Sequence, residues 1–187
     1  MLRIFPGPAE PVPLQGLYLS ERFAPPVERT RTFVYANYIS SLDGRISLPD
    51  PQTLKRGVPR PIANARDWRL FQELTACADA MLVSGRYVRD LDYAATDRSF
   101  PVSDKPEYAD LLAWRRARGL SAQPAVVIVS ASLELPRLQA LAESGRQAYV
   151  ATGEAADPRK VAGLTSQGVR VLRVGSGSRV EGRRLIE

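Results

Sequence analysis

The stretch Ala125-Val126-Val127-Ile128-Val129-Ser130 decides the fold class of this chain. Four of the five residues before Ser130 are branched aliphatics and none is polar, the pattern of a strand covered on both faces by helices rather than of one with a wet face. Working outward, the same signature recurs. Upstream, Ala80-Met81-Leu82-Val83 runs into Ser84-Gly85; downstream, Gln147 to Ala151 and Val169 to Val174 are further short apolar runs. Helical periodicity fills the gaps. Asn64 caps a predicted helix reaching about Asp79, with Leu70, Phe71, Leu74, Cys77 and Ala78 as its apolar face and Asp67 three positions after the cap. A second helix is expected from Pro106 to Arg118, opened by proline and stopped by Gly119. Others are expected from Pro136 to Glu143, from Asp157-Pro158 to Ser166, and from Val180 to Glu187. Strands alternating with helices predict an α/β domain with a mainly parallel sheet flanked by helices.

Towards the N-terminus the pattern changes. Six of the fifteen prolines lie before Arg31, so residues 1–31 are expected to form an irregular arm packed over the surface of a single domain spanning 32–187. Phe33 to Ile39, rich in β-branched and aromatic residues and followed by the turn dipeptide Asp43-Gly44, is predicted to be the domain's first strand.

Composition bounds the chemistry. The 187 residues are 44% hydrophobic and 25% charged, ordinary for a globular chain with one core. No apolar run approaches the roughly 20 residues of a bilayer span, and the N-terminus lacks a secretory signal, so a cytoplasmic protein with no membrane partner is expected. Histidine is absent, which excludes imidazole bases, Ser-His-Asp triads and the commonest zinc ligand; no metal site is expected. Cys77, the single cysteine, sits among apolar residues of a predicted helix and reads as a buried thiol. A net charge of +6 suits an anionic ligand, but Lys and Arg are scattered among acids, as in Arg66-Asp67 and Asp97-Arg98, which argues against nucleic acid.

In a parallel sheet, ligands bind beyond the carboxyl ends of the strands. Three such ends carry suggestive residues. Gly85 permits close backbone approach of a phosphate and Arg86 adds a guanidinium fork, although the same residues also make an ordinary glycine turn with a solvated arginine. Ser130 and Ser132 have the hydroxyls to bond a ribose or phosphate, or equally to close a turn. Asp43 lies in Ser40-Ser41-Leu42-Asp43-Gly44, where a carboxylate serves either turn chemistry or a proton relay beside a hydride donor.

Three ordered segments, Tyr35-Ala36-Asn37-Tyr38-Ile39-Ser40-Ser41-Leu42-Asp43-Gly44-Arg45, Ala78-Asp79-Ala80-Met81-Leu82-Val83-Ser84-Gly85-Arg86-Tyr87-Val88 and Val127-Ile128-Val129-Ser130-Ala131-Ser132-Leu133-Glu134-Leu135-Pro136, together resemble the pyrimidine-reductase domain of riboflavin biosynthesis. That resemblance implies a three-layer dihydrofolate reductase-like fold and NADPH-dependent reduction of a pyrimidine- or pteridine-like metabolite by a homodimer. It implies that Ser84, Gly85, Arg86 and Tyr87 touch the cofactor phosphates, Ser130 and Ser132 the adenosine half, and Ser40 the cofactor beside the nicotinamide. Asn37, Ser41 and Asp43 fall on the substrate side, with Asp43 as the catalytic carboxylate. Tyr87 departs from the family's usual threonine, and Leu91-Asp92 from its acidic pair. The family also continues, past the segment equivalent to Val180–Glu187, into a strand and a glycine-rich loop, so the last strands are expected to be missing. The competing expectation is a non-catalytic remnant with a weak nucleotide cleft.

Overall fold

In the computed structural model, residues 1–4, 7–20, 32–50, 56–59, 61–90, 102–135, 138 and 146–187 are described, without the side chains of Tyr87 and Asp90. The chain divides into two compact units, one of Met1–Cys77 with Val102–Arg118 and one of Ala78–Pro101 with Gly119–Glu187.

In the first unit, β1 (Leu2–Arg3) pairs antiparallel with β2 (Glu10–Pro11), and β3 (Leu48–Pro49) with β4 (Arg56–Gly57). Helix α1 (Ala65–Cys77) starts where expected, because the Asn64 side-chain oxygen accepts from the N–H groups of Arg66 and Asp67 at 3.1 and 3.0 Å. Of the face the apolar pattern predicted, only Cys77 is buried. Leu70, Phe71 and Leu74 are only half-buried, whereas Arg69, Gln72, Glu73 and Ala76, also at helical spacing, are buried. Burying such groups is tolerable only when each finds a partner. Glu73 accepts from the N–H groups of Gly16 (2.6 Å) and Tyr18 (2.9 Å) and pairs with Arg69 Nε (2.9 Å). Arg69 forks onto the carboxylate of Asp110 in α3 (Ala109–Ala117), which follows a 3₁₀ turn at Pro106–Tyr108. The arm is thus fastened to the helix pair by a buried carboxylate. Trp114 of α3 adds an indole N–H bond to the Leu19 carbonyl at 3.2 Å, and Ala76, Val102 and Leu111 form the small apolar core beneath.

Residues 33–39 are not a strand, contrary to the sequence expectation. Phe33, Val34 and Tyr38 are exposed, and the backbone joins no ladder with any described residue. Strand propensity measures fit to a pleated, half-buried surface, so residues with the right side chains remain extended but unassigned where no partner edge meets them.

The second unit matches its sequence reading closely. β5 (Ala80–Ser84), β6 (Ala125–Val129), β7 (Ala148–Thr152) and β8 (Arg170–Arg173) form one parallel sheet in that spatial order. The register sets Met81 beside Val126, Val83 beside Ile128, Ile128 beside Val150 and Val150 beside Val171. Because side chains alternate, these residues share one face. Val88 of α2 (Gly85–Asp90) and Leu164 of α4 (Pro158–Ser166) pack on it, with Leu133, Leu135 and Leu138. Asp157 caps α4 by accepting from Arg159 N–H at 2.8 Å. A short α5 (Gly182–Ile186) ends the chain. The helix expected over 136–143 lies outside the described residues except for Leu138, which is helical and buried.

The α/β class and the parallel sheet flanked by helices are therefore as the sequence predicts.

Candidate functional site

The parallel register brings the ends of β5 and β6 together. Ser84 pairs with Val129, so Gly85 and Ser130 are the next residues along each strand. A side chain at Gly85 would place its Cβ 2.9 Å from Ser130 Oγ and 3.3 Å from Leu135 Cδ2, so only glycine fits against the turn. Ser130 is buried, its N–H donates to the Ala151 carbonyl, and its Oγ accepts from Leu133 N–H at 3.1 Å. Ser132, by contrast, is exposed, and its Oγ accepts from Glu134 N–H at 3.4 Å. A strained residue follows Ser132. Leu133 has φ +56, a left-handed conformation costly for a leucine, held by the Ser130 bond below and by burial of its side chain.

Cations converge on this turn from two helices. Lys160 of α4 donates to the Ser132 carbonyl at 3.0 Å and pairs with the Glu134 carboxylate at 3.2 Å; Arg89 of α2 donates to the Glu134 carbonyl at 3.2 Å. Arg86 is exposed at the start of α2, and Tyr87 follows it in the same helix.

The third and fourth strand ends, which sequence reasoning passed over, complete the edge. Thr152 is fully buried, and its Oγ1 has no hydrogen-bond partner among the described residues. At Gly153 a Cβ would lie 2.3 Å from the Gly177 carbonyl oxygen, so the loop Gly175-Ser176-Gly177-Ser178-Arg179 sits directly against the end of β7. Glu154 N–H to Gly175 O and Ala155 N–H to Gly177 O, both 2.8 Å, hold it there. Glu181 latches the loop by accepting from Ser176 N–H and Oγ at 2.8 and 2.5 Å, bonds that hold its carboxyl below the usual carboxylate range. Gly153 directly after β7 and the run Gly175-Ser176-Gly177-Ser178 shortly after β8 were the signals that would have found them; nothing local marks Lys160.

The remaining candidates belong to the first unit. Ser40, Ser41, Leu42, Asp43 and Ile62 line an open depression, which gathers three of the four residues expected there; Asn37 is exposed and outside it. Gly44 has φ +78 and its N–H donates to the Ser41 carbonyl at 2.9 Å, so Asp43-Gly44 is a turn. Asp43 accepts from Ser41 Oγ and pairs with Arg45 Nε at 3.0 Å while staying exposed.

Among the described residues no cluster of acids and cysteine could hold a metal, and no helix is long and apolar enough to cross a membrane. Burial first, and Glu73 second, pushes the Cys77 thiol up to about 11, and its Sγ donates to the Tyr18 carbonyl at 3.4 Å. The thiol is structural.

A parallel sheet whose carboxyl edge carries glycine and serine turns flanked by cations defines an α/β protein with its turns placed where such sheets take ligands. The family model of the RibD C-terminal domain matches residues 32–185, and the chain belongs to that family. Among solved structures, a pyrimidine reductase-like protein from Corynebacterium diphtheriae is similar over 75% of this chain with 19% identity and a TM-score of 0.50, a likeness of fold. The chain spans about half of that protein, 54% of its length. No curated protein matches.

Proposed function

We propose that this chain carries the nucleotide-binding part of an NADPH-dependent reductase acting on a heterocyclic metabolite with a pyrimidine- or pteridine-like ring, of the kind found in riboflavin biosynthesis. The observation that carries the proposal is the contact of Gly85 with Ser130, which sets two polar turns side by side at the carboxyl edge of a parallel sheet. These residues fit an anionic dinucleotide: a position closed to any side chain, an exposed serine, and the cations Arg86, Arg89 and Lys160 in the same unit.

NADPH, when bound, supplies the hydride. Ser84, Gly85, Arg86 and Tyr87 hold the cofactor phosphates, and Ser132 the adenosine half. Ser130 shapes that turn from inside, since its hydroxyl is already engaged by Leu133 N–H. Ser40 is assigned to the cofactor, Asn37 and Ser41 to the substrate, and Asp43 to proton delivery, the role that a chain without histidine leaves to a carboxylate. The working form is a cytoplasmic homodimer, checked by sedimentation.

The test is calorimetric binding of NADPH and NADH followed by NADPH oxidation with pyrimidine and pteridine substrates. NADPH is expected to bind more tightly, and Arg86→Ala to remove most of that preference, about 1–3 kcal/mol for a charge-assisted contact. Equal binding of the two nucleotides sinks the cofactor assignment. Binding without turnover leaves a non-catalytic nucleotide-binding protein.

A further inference from the structure

We propose that Lys160 is a second specificity determinant for the phosphorylated nucleotide, reading its 2′-phosphate, and that Glu134 is the internal counter-anion the phosphate displaces. The inference rests on the nucleotide-binding reading above but concerns a residue outside every motif that suggested it.

The turn Ser130-Ala131-Ser132-Leu133-Glu134 has no basic residue of its own. Its positive charge comes from elsewhere in the sequence, 26 residues later, on the first turn of α4. Lys160 Nζ has two described acceptors, the Ser132 carbonyl at 3.0 Å and the Glu134 carboxylate at 3.2 Å. An ammonium has three N–H donors, so one remains for a further acceptor while the other two aim the group at the turn. Lys160 and Glu134 are both substantially exposed, with side-chain exposures of 42% and 68%, so a ligand in solution reaches them without opening the core.

The turn is also rigid. Leu133 is pinned in a left-handed conformation by the buried Ser130 hydroxyl and by its own burial, and Arg89 grips the next carbonyl from the opposite helix. A fixed turn with the exposed Ser132 and an ammonium at its rim is complementary to a phosphate monoester, which takes a point charge and a hydroxyl donor at once. Glu134 opposes it. Its carboxylate accepts only, carries like charge, and occupies one N–H of Lys160, so phosphate binding works against it.

Calorimetry with adenosine 2′,5′-bisphosphate and adenosine 5′-monophosphate, which differ by the 2′-phosphate alone, tests the assignment on the whole chain. The unmutated protein should prefer the bisphosphate. Lys160→Ala should cut that preference about fivefold to tenfold, Lys160→Arg should retain most of it, and Glu134→Gln should increase it. The preference should shrink as salt is raised, because the charges involved are exposed. An unchanged ratio in Lys160→Ala overturns the proposal, as does an absent preference in the unmutated chain. A lysine that merely clamps the turn would weaken both nucleotides by the same factor, which also overturns it. NADPH oxidation by the same proteins is scored separately: its absence with an intact bisphosphate preference removes the reductase reading and leaves the phosphate subsite standing.

Discussion

At the scale of single residues, the carboxyl edge of the sheet depends on one missing side chain. Gly85 is tight against Ser130, and Ser130 cannot yield freely because its hydroxyl is the partner of the Leu133 N–H. Gly85→Ala is therefore expected to destabilise the protein by about 1–3 kcal/mol, as overpacking does. Ser130→Ala should cost about 1–3 kcal/mol by leaving a buried N–H unpaired. Because one change relieves the crowding caused by the other, the double variant should cost less than the sum, and denaturant unfolding of all four proteins checks this. Cys77 gives a different readout. Its thiol is held protonated in the fold, so its contribution to stability is complete below the unfolded thiol's pKa of roughly 8.5 and is lost as pH rises towards about 11. Removing the thiol by Cys77→Ala should flatten the alkaline limb of the stability curve over that window.

At the scale of elements, α1 shows how a helix departs from its apolar pattern. Its charged stripe is buried because the irregular arm supplies backbone N–H groups for Glu73 and α3 supplies Asp110 for Arg69. Neither partner is close in sequence, so spacing on α1 alone favoured Leu70, Phe71 and Leu74. Glu73→Ala takes the buried acceptor from Arg69 Nε and from two backbone donors, and a loss of about 3–5 kcal/mol is expected. A red shift of Trp114 emission should accompany it, as the arm carrying the Leu19 carbonyl comes free. Hydrogen bonding to Arg69 holds Asp110 below the ordinary carboxylate range. That contribution is present above the unfolded pKa of about 3.9 and is lost as pH falls through the lower folded value, so the acid limb of unfolding should move to higher pH in Asp110→Asn. In the sheet, Ile128 is fully buried between β5 and β7, and Ile128→Ala should cost about 2–5 kcal/mol.

At the scale of the whole molecule, 26 Lys and Arg against 20 Asp and Glu leave a net charge of +6 beyond what ion pairing neutralises. Arg184 with Glu154 and Glu181, Lys160 with Glu134, and Arg69 with Glu73 and Asp110 use acids distant in sequence as well as near ones. Of these, the exposed pairs of Arg184 and Lys160 contribute little each, and the surplus charge is better viewed as steering for an anionic ligand. The association rate for NADPH is accordingly expected to fall with ionic strength, measurable by stopped-flow quenching of intrinsic fluorescence. A salt-independent rate would remove steering from the account.

The sequence by itself determined the four parallel strands of the second unit, the caps at Asn64 and Asp157, the stop at Gly119, and the family. Each is written in local periodicity or in a residue whose backbone geometry is special, and both survive whatever the rest of the chain does. Only the tertiary structure decided that residues 33–39 lack a ladder, that α1 buries charges, that Ser132 rather than Ser130 is exposed, and that Lys160 stands over their turn. A ladder, a buried ion pair and a convergent cation each need two partners, and pairing between distant segments leaves no period along the chain for either partner to show.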